Sequence, residues 1–191
     1  MNTTIRPAAD RRQPDVKAGN TVTTESITPE RLRAVMGGFA TGVAIITTKS
    51  GTELHGMTVN SLTSVSLAPP MLLVCFTRAS RTALAVQARG AFVVNILDSK
   101  QQALSDRFAR PGESHFEGVS LEYTDDGLPL LPSIGNVVCE VADIHGGGDH
   151  VIVLSRVVDI QMRPGQPLVY FRGKYDTITG NGRDAETLWY W

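Results

Sequence analysis

Short apolar runs rich in β-branched residues, separated by Gly, Pro and polar turns, fill most of this chain after Gly42. Their spacing predicts strands over residues 43–48, 53–59, 71–77, 92–97, 136–144, 150–161 and 167–171, with short candidates at 119–123 and 175–178. Most links between these runs are too short for the crossover that parallel neighbours require. We therefore expect a β-rich α+β fold in which an antiparallel sheet closes as a barrel and helices pack outside it.

Helix signals occur in three places. The predicted helices cover residues 28–36, 80–88 and 99–109. Thr28 is a suitable N-cap for the first helix, and Pro29 fits its first helical position. Ser80 is a candidate N-cap for the second helix, which we expect to stop at Gly90.

The length and composition of the chain predict one folded domain. A chain of 191 residues with 42% hydrophobic residues can bury a substantial core. Residues 1–26 are instead rich in Thr, Pro, Arg and Asp, with few large apolar side chains. Such a composition does not offset the entropy of ordering, so we expect a flexible N-terminal tail over 1–26 and the folded domain over 27–191.

Charge and composition exclude several classes of function. The net charge of −1 and the absence of a basic run argue against nucleic-acid binding, and no apolar run is long enough to span a membrane. Arg11 and Arg12 are not followed by the apolar region of an export signal. Cys75 and Cys139 lie in apolar runs and are expected to be buried thiols in a cytoplasmic protein, although a disulfide between them stays open. The chain contains no metal-ligand spacing.

The segment from Gly56 to Pro70 is unusually polar for its position between two apolar runs. Its hydroxyl and amide groups can both donate and accept hydrogen bonds, which suits the polar edge of an isoalloxazine ring. The alternative is a Ser/Thr-rich edge strand followed by a Pro-Pro turn. The segment alone does not decide between these two interpretations.

This segment resembles the signature of the short-chain flavin reductases, which supply reduced flavin to two-component monooxygenases. Further matches follow in the family's order at residues 39–43, Ser80 with Thr82, 90–97, 104–109, 148–150 and 167–175. The resemblance covers residues 27–178. It implies an antiparallel Greek-key split β-barrel with flanking helices, usually a homodimer that binds FAD or FMN at the subunit interface.

The resemblance also implies which residues contact the flavin. The candidate cofactor-binding residues are Thr58, Val59, Asn60, Ser61, Ser64, Val65, Ser66, Cys75, Ser80, Thr82, Asn95, Arg172 and Tyr175. Successive side chains of a strand point to opposite faces, so some of these residues must act through backbone groups.

Three of these expectations have a structural alternative. The start of the helix at Ser80 can hold a phosphate, with added charge from Arg78 and Arg81, or it can be an ordinary N-cap beside surface arginines. Asn95 lies in an apolar strand, where it either closes a gap in backbone hydrogen bonding or touches the cofactor. Arg172 and Tyr175 lie either at the mouth of the active site or on the outside of the barrel.

His150 is the candidate catalytic residue. By resemblance it lies on the nicotinamide side of the flavin, where we expect a positioning or electrostatic role rather than obligatory proton donation. The alternative is a surface histidine at the start of a strand. Because the sequence lacks the Gly-x-Gly-x-x-Gly fingerprint, NADH or NADPH is not expected to occupy a Rossmann domain.

These observations predict an NAD(P)H-dependent flavin reductase that supplies reduced FAD or FMN to a partner monooxygenase. In this reaction a hydride passes from the nicotinamide C4 to the flavin N5, and the protein mainly binds and orients the two cofactors. The alternatives are a flavin-binding electron carrier without turnover, a split-barrel oxidase and a module that binds no flavin.

Overall fold

The computed structural model describes residues 26–112 and 115–178. The predicted tail lies outside the described residues except for Ser26. The described elements are α1 (Pro29–Met36), β1 (Thr41–Gly42), β2 (Ala44–Ser50), β3 (Glu53–Val59), β4 (Leu62–Leu67), β5 (Pro70–Thr77), α2 (Arg81–Arg89), β6 (Ala91–Ile96), α3 (Gln102–Ala109), β7 (Glu122–Tyr123), β8 (Pro129–Leu130), β9 (Gly135–Gly147), β10 (His150–Met162), β11 (Leu168–Phe171) and β12 (Lys174–Thr177). The prediction of a mostly antiparallel β structure with a few helices is confirmed.

A seven-stranded antiparallel sheet dominates the described part of the chain. Its strand order is β3-β2-β6-β9-β10-β5-β4, and a smaller sheet has the order β1-β11-β12. Strands β3 and β4 lie at opposite edges of the large sheet, yet only Asn60 and Ser61 connect them. Because the three Cα–Cα steps from Val59 to Leu62 span at most about 11 Å, the sheet must curl until its two edges come close at this link.

Buried side chains of the large sheet and of α2 form the main hydrophobic core. Phe76 and Phe92 meet there edge to face with ring centroids 6.3 Å apart, and both side chains are fully buried. Helix α2 contributes Ala83 and Val86 to the same cluster. A second cluster joins Phe108 of α3 to residues of β2 and β11. Helices α2 and α3 are therefore held against the sheet by apolar packing.

Part of the polar segment from Gly56 to Pro70 forms an edge strand of the large sheet, as in the structural alternative given for this segment. Residues 62–67 form β4, which pairs with β5 alone, and β5 begins at Pro70. The register shifts between Ser64 and Ser66, so Val65 is an extra residue in the ladder. An edge strand keeps one row of backbone groups free, so this geometry is compatible with a ligand.

Helix α3 begins three residues later than the sequence predicts. The chain from Asp98 to Gln101 forms a turn in which the Asp98 carboxylate accepts a 2.9 Å hydrogen bond from the Lys100 amide. The Gln101 side chain in turn accepts from the Asp98 amide at 2.7 Å. The hydrogen bond from the Lys100 amide lowers the pKa of Asp98. Local side-chain bonds of this kind compete with the first helical turn.

Asn95 closes a gap in backbone hydrogen bonding, which corrects its assignment as a flavin contact. Its side chain is fully buried and donates to the Ile45 carbonyl at 2.8 Å and to Thr47 Oγ1 at 2.9 Å. Its Oδ1 accepts from the Leu131 amide at 2.9 Å and from Asn136 Nδ2 at 2.8 Å. Both donors and both acceptor sites of the amide are occupied by protein, so none remains for a ligand.

We predict that Asn95→Leu lowers the free energy of unfolding by about 3 kcal/mol or more. The substitution leaves several buried donors and acceptors without partners, each of which costs about 1–3 kcal/mol. Urea denaturation would measure the change. Gln87→Leu is the control, because this amide is exposed and bonds only to Ala83 of its own helix. Equal stability of the two variants would contradict the structural role of Asn95.

Candidate functional site

A cleft, which we call the main cleft, lies beside β3, between the beginning of α2 and the end of α3. It has a volume of about 700 Å³. Its lining residues are Glu53, Leu54, His55, Gly56, Met57, Thr58, Thr77, Ser80, Arg81, Thr82, Phe108, Ala109, Arg110, Pro111, Gly112, His115 and Phe116. The predicted site residues Thr58, Ser80 and Thr82 therefore lie around one cleft. This combination of apolar walls with a few polar groups is typical of ligand sites.

An aromatic wall forms one side of the main cleft. The rings of Phe108 and Phe116 meet edge to face with centroids 5.0 Å apart, and the His115 ring lies 5.3 Å from Phe108. Gly56 makes this packing possible, because a Cβ at this position would lie 2.6 Å from the Phe108 ring. The wall depends on a close approach between α3 and the backbone of β3.

A second, smaller cleft adjoins the first. It has a volume of about 230 Å³ and is lined by Val43, Thr58, Val59, Asn60, Ala109, Tyr170 and Tyr175. Thr58 and Ala109 line both clefts, so the two spaces share a wall. The structure thus brings Asn60 and Tyr175 close to Thr58, as expected of residues at one site.

Hydrogen bonds fix the shared wall. Thr58 Oγ1 donates to the Ser105 carbonyl at 2.6 Å, and the Ser105 hydroxyl lies 2.9 Å from the Tyr175 hydroxyl. Burial of the phenol raises the pKa of Tyr175. Tyr175 therefore stays protonated at neutral pH and retains its hydrogen for bonding.

The beginning of α2 has the geometry expected of an N-cap. Ser80 Oγ accepts a hydrogen bond from the Ala83 amide at 3.1 Å. Thr82 is only 5% exposed, and Arg81 donates to the Gly112 carbonyl across the cleft. The first backbone N–H groups of a helix have no partner within the helix, so this end of the cleft favours an anion.

His150 lies on the strand that pairs with the wall of the main cleft. Its register partner is Thr77, which lines that cleft. His150 Nδ1 lies 2.7 Å from Asp149 Oδ1, and the hydrogen bond from His150 lowers the pKa of Asp149. The carboxylate is therefore charged at neutral pH and holds the imidazole in one orientation.

Arg78 holds the turn that carries His150, rather than adding charge to the main cleft. Its guanidinium donates to the carbonyls of Gly148 at 2.9 Å and His150 at 3.3 Å. Its backbone amide also donates to the Asp149 carbonyl. The sequence indicated the charge of Arg78 but not its partners, because the β9–β10 turn is distant from it along the chain.

The other predicted flavin contacts are buried, bonded to protein or outside the two clefts. Val59 lines the small cleft but is 7% exposed and packs in the core. The Ser61 hydroxyl accepts from the Cys75 amide at 3.2 Å and donates to the Cys75 carbonyl at 2.8 Å. The remaining residues, Ser64, Val65 and Ser66 on β4 and Arg172 in the β11–β12 turn, line neither described cleft.

Sequence reasoning missed the aromatic wall. Leu104 and Phe108 at helical spacing predicted a helix, but the spacing did not indicate that Phe108 faces β3 rather than another element. His115 and Phe116 follow the end of α3 without any periodic pattern. Among the described residues, no group of His, Cys, Asp and Glu side chains could hold a metal ion, and no helix is long and apolar enough to cross a membrane.

Solved structures with the same fold include proteins at moderate sequence identity. An NADH:FAD oxidoreductase from Streptomyces globisporus, in complex with NAD and FAD fragments, is 30% identical with a TM-score of 0.77 over 84% of this chain and 100% of that one. The flavin reductase PheA2 is 33% identical with a TM-score of 0.74 over 81% of this chain and 100% of that one.

Sequence comparisons give the same relationship. The reductase subunit HsaB of a flavin-dependent monooxygenase from Rhodococcus jostii is 36% identical over 86% of this chain and 85% of its own length. An NADH-dependent flavin reductase from a Rhodococcus species is 34% identical over 83% of this chain and 91% of its own length. The family described as "Flavin reductase like domain" matches residues 36–179. The chain therefore belongs to the family of flavin reductase-like domains.

Proposed function

We propose that this protein is an NADH-dependent flavin reductase that supplies reduced FAD or FMN to a partner monooxygenase. The observation that carries the proposal is the pair of adjoining clefts, which are lined by Thr58, Asn60, Ser80 and Tyr175. Relatives named as NADH-dependent reductases and as reductase subunits of monooxygenases support both the hydride donor and the kind of partner.

The main cleft fits a flavin in size and in chemistry. Its volume of about 700 Å³ is within the range of small-molecule sites. Phe116, which is half-buried and packs against the buried Phe108, offers apolar surface to a planar ring, while the beginning of α2 offers backbone N–H groups to a phosphate. When bound, a flavin supplies the acceptor for the hydride of reduced nicotinamide.

The side chains of this chain bind and orient the reactants. Thr58 and Asn60 lie where the two clefts adjoin and can hydrogen-bond the polar edge of a ring. Tyr175, held in place by Ser105, closes the small cleft and offers a hydroxyl. His150 is held by Asp149, and Arg78 donates hydrogen bonds to the turn that carries it, so its Nε2 can contact a nicotinamide. It does not have to deliver a proton, because water can protonate the reduced flavin.

We further propose the finer architecture that the family implies, a Greek-key split barrel that pairs as a homodimer. The two-residue link between the sheet edges supports a closed sheet. Support for pairing comes from an exposed apolar surface on β10, where Val158, Ile160 and Met162 are 51%, 58% and 85% exposed. A second copy on this surface would also cover β4, whose candidate flavin contacts line no described cleft. The folded domain is proposed to span residues 27–191.

The purified protein should oxidise NADH only when flavin is added. The proposed acceptor of the hydride is the bound flavin, so turnover should depend on the flavin concentration. Loss of absorbance of NADH, assayed with FAD, FMN and riboflavin in turn, measures this. Flavin binding without turnover would instead identify an electron carrier, and a protein that binds no flavin would refute the proposal altogether.

Replacing Asn60 and His150 singly by Ala should separate the two binding steps. Asn60→Ala removes one or two hydrogen bonds to the flavin and should weaken flavin binding about five- to a hundredfold, or roughly 1–3 kcal/mol. His150→Ala should lower the hydride-transfer rate or raise the Michaelis constant for NADH, with little change in flavin affinity.

Flavin titration and stopped-flow reduction measure the two effects, and each variant is the control for the other. If both variants lost the same property, the separate roles of Asn60 and His150 would be wrong. A rate that fell with rising pH in the native protein, but not in His150→Ala, would favour proton donation over positioning.

Ile160→Asp should convert the protein to a monomer. A charge at this position would have to be buried without a partner in the proposed interface, at a cost of several kcal/mol. Sedimentation velocity measures the change in mass. Leu84→Asp is the control, because Leu84 is equally exposed at 57% but lies on α2 and not on the strand of the proposed interface. A native protein that sediments as a monomer would refute the pairing.

A further inference from the structure

Helix α1 carries an apolar stripe that the described residues leave uncovered. Leu32, Val35 and Met36 lie on one face of the helix at i, i+3, i+4 spacing and are 56%, 75% and 55% exposed, and Phe39, which is 68% exposed, follows in the turn after the helix. No residue of α1 is buried. We call these four residues the α1 stripe. An exposed apolar surface of this kind on a helix marks an interaction site.

The helix is too short to be stable without packing. It has only eight residues, and isolated helices below about 12–15 residues are marginal in water. Its first turn is capped by Thr28, whose side chain accepts from the Arg31 amide. Its other end is fixed by a 2.8 Å hydrogen bond from the Arg172 amide to the Gly37 carbonyl. These bonds place the helix but cover none of its apolar face.

The sequence that follows β12 contains an apolar, aromatic segment that could pack against the α1 stripe. Residues 188–191 read Leu-Trp-Tyr-Trp and include both tryptophans of the chain. An aromatic side chain of this size buries about 150–250 Å² when it packs. Residues 1–25, which precede the helix, contain no aromatic residue. Within the chain, therefore, 188–191 is the segment best suited to cover an apolar stripe.

The length of chain between β12 and this segment is sufficient for contact. The Arg172 hydrogen bond places the end of α1 at the β11–β12 turn, and the four residues of β12 lead away from that turn over about 13 Å. The eight residues of α1 add about 12 Å. Nine residues lie between Ile178 and Leu188, and the ten Cα–Cα steps can span about 33–36 Å, which exceeds the sum.

We propose that residues 188–191 pack against the α1 stripe of the same chain. The aromatic side chains cover Leu32, Val35, Met36 and Phe39, and the buried apolar area stabilises α1. This inference is independent of the proposed function, since it concerns the protein without flavin or nicotinamide.

Tryptophan fluorescence tests the contact directly, because both tryptophans lie in the proposed segment. In the full chain without ligand, we expect an emission maximum blue-shifted from that of the urea-unfolded chain and a several-fold smaller acrylamide quenching constant. Val35→Asp should raise the quenching constant to nearly the unfolded value. Ala34→Asp should leave it unchanged, because Ala34 is exposed on the opposite side of the helix from the stripe.

Three results would overturn the proposal. The first is an acrylamide quenching constant that is as large for the native chain as for the chain in urea, which would mean that the segment is not packed. The second is an equal response of the Val35 and Ala34 variants, which would place the segment elsewhere. The third is loss of a dimer in Val35→Asp with unchanged quenching, which would make a second copy the occupant of the stripe.

Discussion

The connection between β3 and β4 is the constraint on which the rest of the fold depends. Two residues join strands that lie at opposite edges of a seven-stranded sheet, so the sheet must curl. Ser61 stabilises this corner because its hydroxyl bonds to both the amide and the carbonyl of Cys75. The hydroxyl thus replaces a backbone partner where the ladder between β4 and β5 ends. Curling gives the sheet a concave face that the aromatic core can fill.

The candidate site follows from what packs around the curled sheet. Thr58 near the end of β3 contacts Ser105 of α3, and Ser105 contacts Tyr175 of β12. One row of hydrogen bonds therefore joins three elements that are far apart in the chain. Gly56 allows α3 to approach β3 closely enough for Phe108 to form a wall. The same packing that stabilises the domain thereby shapes the two clefts.

Two apolar surfaces remain on the described part of the molecule, and they differ in a way that suggests different occupants. The β10 surface lies on a long strand that only β5 separates from β4, the strand that carries several of the predicted flavin contacts. Such a surface suits a second copy of the chain. The α1 stripe is narrow and belongs to a short helix whose end is held at the β11–β12 turn. A short aromatic segment can cover it, and the chain contains one within reach.

Local patterns in the sequence predicted most helices and strands, and the family followed from short motifs in a fixed order. Ser80 and Gly90 were predicted correctly as the ends of α2 because capping depends on a few neighbouring residues. The roles of Asn95 and Arg78 were not determined in this way. Their partners, such as Leu131 for Asn95 and Gly148 for Arg78, lie far away in sequence and meet them only through strand pairing and turns. The aromatic wall of the main cleft has the same origin, since periodicity fixes which helical residues share a face but not which element that face meets. The sequence by itself thus determined most of the elements and the family, whereas only the tertiary structure decided which side chains line the two clefts and which satisfy the buried backbone, because those contacts join elements far apart in the chain.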